Sequence, residues 1–100
     1  MALDLDSLPL EKIAKFCERN HIVRLSVFGS ALRDDFTPES DVDILVEFDP
    51  EHIPGLAFFA MQDELTEIIG RRVDFNTAGF LSRHFRDEVI QQSEPLYDAA

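Results

Sequence analysis

The chain has 100 residues, 45% of them hydrophobic, and its 20 acidic against 9 basic side chains give a formal net charge of −11. That length suits one domain, residues 1–100, and charge of that sign repels polyanions, which argues against long DNA or RNA and for a small nucleotide carried with divalent cations or a basic patch on a protein. The single Cys17 excludes an internal disulfide and a cysteine zinc centre, and with an acidic Met1 to Pro9 and no apolar run near ~20 residues, a cytoplasmic chain without a membrane span is expected.

A first helix is expected from Ser7, its N-cap, to about Asn20, with Pro9 in the first turn and Leu10, Ile13, Ala14 and Cys17 at helical spacing. From His21 to Phe28, Val23, Leu25 and Val27 alternate with Arg24 and Ser26, the period of a half-buried strand. Gly29-Ser30 breaks that strand, and Ala31 to Asp35 can form a helical turn before the loop 36–40. Asp41 to Phe48 is the clearest strand, with Val42, Ile44, Val46 and Phe48 on one face and Asp41, Asp43, Leu45 and Glu47 on the other. After a loop, Phe58, Met61, Leu65 and Ile68 mark a second long helix with Gly70 as C-cap. A short strand from Arg71 to Asn76 carries Asp74 opposite Val73 and Phe75. A last helix from about Phe80 to Gln91 buries Leu81, Phe85 and Val89, starts at Thr77 or Ser82 and ends at Pro95, and Leu96-Tyr97 adds a short strand. The order implies an α/β domain, one sheet covered by helices.

Chemistry concentrates in three places. Asp41 and Asp43, two apart on a strand, hold carboxylates on one face with Cα atoms ~6.5 Å apart. Such like charges repel, and a divalent cation with oxygen ligands turns that repulsion into coordination. Asp74 brings a third carboxylate to the same face if the two strands are neighbours. Ahead of the pair, Gly29 and Ser30 sit where a strand gives way to a helical turn, whose outward N–H groups and missing Cβ suit a phosphate. Metals on one side and N–H donors on the other would grip a triphosphate and neutralise charge as pyrophosphate leaves. Cys17 and His21 lie one helical turn apart, but without a third ligand they read as a core thiol and a surface histidine, and neither His52 nor His84 has a partner spacing. Of Phe58 and Phe59, both read as packing residues unless an exposed one marks a partner interface.

Gly29-Ser30, ten intervening residues, Asp41-Val42-Asp43 and then Asp74 within Val-Asp-Phe resemble the nucleotidyltransferases related to DNA polymerase beta. With Ser40 before the acid pair, the run from Val27 to Phe48 is most similar to the minimal nucleotidyltransferases encoded beside HEPN-domain partners. The resemblance covers nearly the whole chain. It implies a mixed sheet, Asp41, Asp43 and Asp74 as ligands of two Mg²⁺ ions, and Asp74 as base for the acceptor hydroxyl. It further implies a Gly29-Ser30 phosphate grip, with Ser40 and Arg33 as further nucleotide contacts, and AMP transfer from ATP to a tyrosine of a HEPN toxin. Ala31 stands where an arginine often follows Gly-Ser, Asp34 where a glycine is common, and Asn76 where an apolar residue is usual. Two other readings stay open: an antitoxin that masks its partner sterically, and transfer to a small molecule with a second subunit supplying the substrate site. Self-association is also left open.

Overall fold

The structure is a computed structural model that describes residues 2–81 and 83–99. Four strands, β1 (Ile22–Phe28), β2 (Val42–Phe48), β3 (Val73–Asn76) and β4 (Glu94–Asp98), form one sheet in the order β3-β2-β1-β4. β1 runs antiparallel to β2 and β4, while β2 and β3 are parallel, so the sheet is mixed, as expected. Among the described residues three α-helices accompany it: α1 (Leu10–Arg19), α2 (Ala57–Ile69) and α3 (Arg86–Gln92). No helix among the described residues is long and apolar enough to cross a membrane.

The core follows from the alternation in β2 and β3. Val42, Ile44 and Val46 are buried with Val73 and Phe75, and they meet Ile13, Phe16 and Cys17 of α1 and Met61 and Leu65 of α2. Phe75 is the hub, with ring centroids 6.5 Å from Phe16 and 5.2 Å from Phe58, and Phe58 reaches Phe48 at 6.3 Å. Edge and tilted contacts of this kind add to the area that aromatic rings bury. Cys17 is completely buried, and burial, with Glu18 beside it, pushes its thiol up to about 12, as a core thiol requires.

Several expectations shift. The first helix begins at Leu10, not Ser7, because the residue before Pro9 is held extended (Leu8 ψ 150°). Ser7 instead closes a 3-10 turn, Leu5–Ser7, donating its hydroxyl to Asp4 O at 2.7 Å, and the Pro9 carbonyl accepts from Ile13 N. In β1 the alternation breaks: a bulge between Ile22 and Arg24 leaves Val23 39% exposed, while Ser26 is 1% exposed. A bulge inserts a residue and turns its neighbours to the other face, and β1, at the sheet centre, is covered on both sides. The turn expected over 31–35 forms earlier, over Gly29–Leu32, and includes the Gly-Ser pair.

The last helix is half its expected length. Thr77 flanks a 3-10 turn, Ala78–Phe80, without donating or accepting a capping bond, and α3 starts only at Arg86, so Leu81 and Phe85 lie before it. Ser82, the other start signal, lies outside the described residues. Phe85 is exposed and α3 contains no buried residue, because the helix packs over the sheet without entering the core. Pro95 does not merely end the helix: it sits inside β4, an edge strand, where a missing N–H is tolerated.

Gly70 closes α2 as expected, with φ +80° and its N–H on Thr66 O at 2.9 Å. A Cβ there would meet nothing within 4 Å, so backbone strain is the whole cost of a side chain. Gly70→Ala is therefore expected to destabilise the fold by about 1 kcal/mol, seen as a melting temperature lower by roughly 4–8 °C for a domain of this size.

Candidate active site

β1 and β2 pair so that Phe28 lies beside Asp43, and β2 and β3 pair so that Asp43 lies beside Asp74. The end of one strand and the beginnings of two others thus converge. Gly29 makes this approach possible. Its φ is +72°, and a Cβ on it would run into the Asp43 carboxylate oxygen Oδ2, so the residue that breaks β1 also admits the acid. The 3-10 turn that follows holds Ser30 half-buried, its carbonyl accepting from Arg33 N at 3.0 Å.

Asp43 and Asp74 are register partners across the parallel β2–β3 pair. Burial first, then the charges of Asp74 and Asp41, hold the Asp43 carboxyl above the usual carboxylate range, and the Arg33 guanidinium partly offsets them. Arg33 therefore belongs to the electrostatic neighbourhood of the acids, although its Nε also lies 3.4 Å from Asp35. Asp41 precedes β2, and its Oδ1 lies 3.2 Å from Arg72 Nε. Among the described residues no group of three or more His, Cys, Asp or Glu side chains is close enough to hold a metal ion. Asp43 and Asp74 are neighbours across the sheet, and Asp41 stands within electrostatic reach of Asp43 but paired to Arg72. An all-oxygen donor set strained by like charge still fits a hard divalent cation, since that is the species that relieves it.

Ser40 is committed locally: its Oγ accepts from Thr37 N at 3.1 Å and meets Thr37 Oγ1 at 3.1 Å, shaping the loop that leads into β2. Sequence reasoning missed Arg72. The register that sets Val42 beside Val73 places Arg72 beside Asp41, and Val42 N donates to Arg72 O at 2.8 Å, so the signal lay in the strand pairing. It also missed Glu88 and Gln92 of α3, which border the space beside Gly29 and Arg33. His21 and His52, which sequence spacing did not link, stack at 3.8 Å between centroids, and His52 Nδ1 lies 3.4 Å from Asp49 Oδ2.

The family model of the nucleotidyltransferase domain matches residues 10–97. The chain belongs to this family. Among curated relatives, the protein adenylyltransferase MntA of Thermococcus cleftensis is 43% identical over 76 residues, covering 75% of each chain. A solved structure assigned as a minimal nucleotidyltransferase superposes on the chain with a TM-score of 0.75 at 30% identity, covering 93% of this chain and 96% of the other. An antitoxin-bound toxin complex crystallised with AMP-PNP shares the fold at a TM-score of 0.71 and 22% identity, covering 91% of this chain and 74% of that one. The nucleotidyltransferase is thus an enzyme by family, with its Gly-Ser turn and acid strands inside the matched span.

Proposed function

We propose that this nucleotidyltransferase transfers AMP from ATP, with Mg²⁺, to a tyrosine of a HEPN-domain toxin and so acts as an antitoxin. The observation that carries the reading is the pairing of Asp43 with Asp74 across β2 and β3, with Gly29 against the Asp43 carboxylate. The relative from Thermococcus cleftensis is named a protein adenylyltransferase, and one structural neighbour is an MNT antitoxin in complex with a tri-AMPylated HEPN toxin.

In this mechanism Asp41, Asp43 and Asp74 would hold two Mg²⁺ ions, which would supply Lewis-acid neutralisation of the triphosphate. The backbone N–H groups of the turn starting at Gly29, with the Ser30 hydroxyl and Arg33, orient the β- and γ-phosphates and stabilise the charge that builds on departing pyrophosphate. Asp41 would have to give up its contact with Arg72 to join the other acids as a ligand, and Ser40 braces the loop that precedes it through Thr37. Asp74 accepts the proton of the tyrosine hydroxyl as its oxygen attacks the α-phosphorus, the bond to the bridging oxygen breaks in line, and pyrophosphate departs. Purified chain, ATP, Mg²⁺ and the HEPN protein are expected to give a toxin whose mass rises in whole units of AMP. An unmodified toxin under conditions where nucleotide binds would discard this acceptor.

A further inference from the structure

Between Asp34 and Gly70 the chain carries eleven Asp and Glu residues and no Lys or Arg, while the rest of the chain is balanced at nine of each. The entire net charge therefore belongs to the segment that forms β2, the loop after it and α2. The same segment bears the most exposed large apolar side chains of the described residues: Leu56 at 86%, Ile53 at 67% and Phe59 at 63%. Ile53 and Phe59 border a groove of about 500 Å³, floored by Val46, Phe48 and Phe58 and closed on its far side by Thr77 to Gly79.

The groove exists because β3 is too short. β3 pairs with Val42 to Leu45 only, so from Val46 to Phe48 the edge of β2 has no strand beside it among the described residues. An open strand edge beside apolar pockets is the geometry that accepts an added extended segment, with backbone hydrogen bonds supplying affinity and the pockets supplying selectivity. Glu47 lines the groove, and Asp49 and Glu51 lie in the loop between β2 and Ile53.

We propose that this groove is the docking site of the protein acceptor, which enters it with an extended segment that pairs an apolar side chain with flanking Lys or Arg residues. The inference rests on the reading that the acceptor is a protein, and it assigns the contact to residues outside the phosphate and acid machinery. Charge selects the occupant: a second copy of the chain would bring a segment of the same eleven acids against this one, whereas a basic partner is drawn to it. Apolar anchors seated in a dry groove carry most of the affinity, and the acidic rim makes association fall as salt rises.

The test compares Ile53→Ser and Phe59→Ser with Leu10→Ser, an exposed apolar residue of α1 away from the groove. All three side chains are substantially exposed, so the fold is retained, which thermal melting verifies. Affinity for the HEPN protein is read by calorimetry at low and high salt, alongside ATP–Mg²⁺ binding. The expected result is a Kd weakened by roughly tenfold or more in both groove variants, unchanged in Leu10→Ser, with nucleotide binding unaltered. A toxin that is modified by the wild type and bound equally well by the groove variants overturns the groove while sparing the acceptor. No complex between the wild type and the toxin overturns both, and a groove-dependent homodimer in sedimentation overturns the assigned occupant.

Discussion

Asp43→Asn is expected to abolish AMP transfer and, in the absence of metal, to make the protein more stable. Asparagine keeps the shape and can donate to Asp74, so the sheet register survives. It removes the charge that faces Asp74 directly across the parallel pair and Asp41 along the strand. Like charges opposite each other in a sheet cost roughly 0.2–1 kcal/mol, and that cost disappears. The sign follows from linkage. The folded carboxyl is held above its ordinary 3.8, so the native state keeps a proton that the unfolded chain has lost, and wild-type stability falls as pH rises from about 4 through the raised value. The variant should lack that decline, measured by thermal melting across about pH 3 to 7 in chelator. Transfer should fall by roughly a thousandfold or more, because metal-assisted charge neutralisation is worth several kcal/mol of barrier. Neutralisation of the toxin that persists in Asp43→Asn would favour the steric antitoxin.

Gly29→Ala is the second large effect, and it should damage stability and activity together. The left-handed φ of +72° costs an alanine about 1–2 kcal/mol, and the added Cβ collides with Oδ2 of Asp43. Either the strand end moves or the carboxylate does, and each displaces a group that must be placed to a fraction of an ångström. A loss of roughly a hundredfold in transfer with a lower melting temperature is expected. The contrast with Gly70→Ala is informative, since that position shares the strain but has open space around it and lies outside the acid cluster. Full activity in Gly29→Ala would mean that the close approach of β1 to Asp43 has no catalytic consequence.

β2, β3 and the long helix were legible because their apolar periods hold: β3 buries one face, β2 buries Val42, Ile44 and Val46 with Leu45 added from the other face, and α2 runs to Gly70. Those same periods located Asp43 and Asp74, while their contact depended on strand adjacency that no single segment encodes. The failures are local. Leu8 and Pro9 override Ser7 as a start signal, a bulge turns Val23 outward, and the segment after β3 coils through a 3-10 turn where its apolar residues suggested continuous helix. Arg72 was invisible as a partner of Asp41 because the two are 31 positions apart and meet only through the β2–β3 register. The groove likewise comes from a difference in strand length, although the one-sided charge of residues 34–70 was present in the sequence throughout.

Titration calorimetry of the purified chain with ATP, in Mg²⁺ and again in chelator, reaches the shared premise most directly. The acids and the turn at Gly29 predict saturable heat in Mg²⁺, a large loss of it in chelator, and the same loss in Asp43→Asn with Mg²⁺ present. Equal binding in chelator, or undiminished binding by the Asp43→Asn variant, would contradict a nucleotide held to these carboxylates through divalent ions.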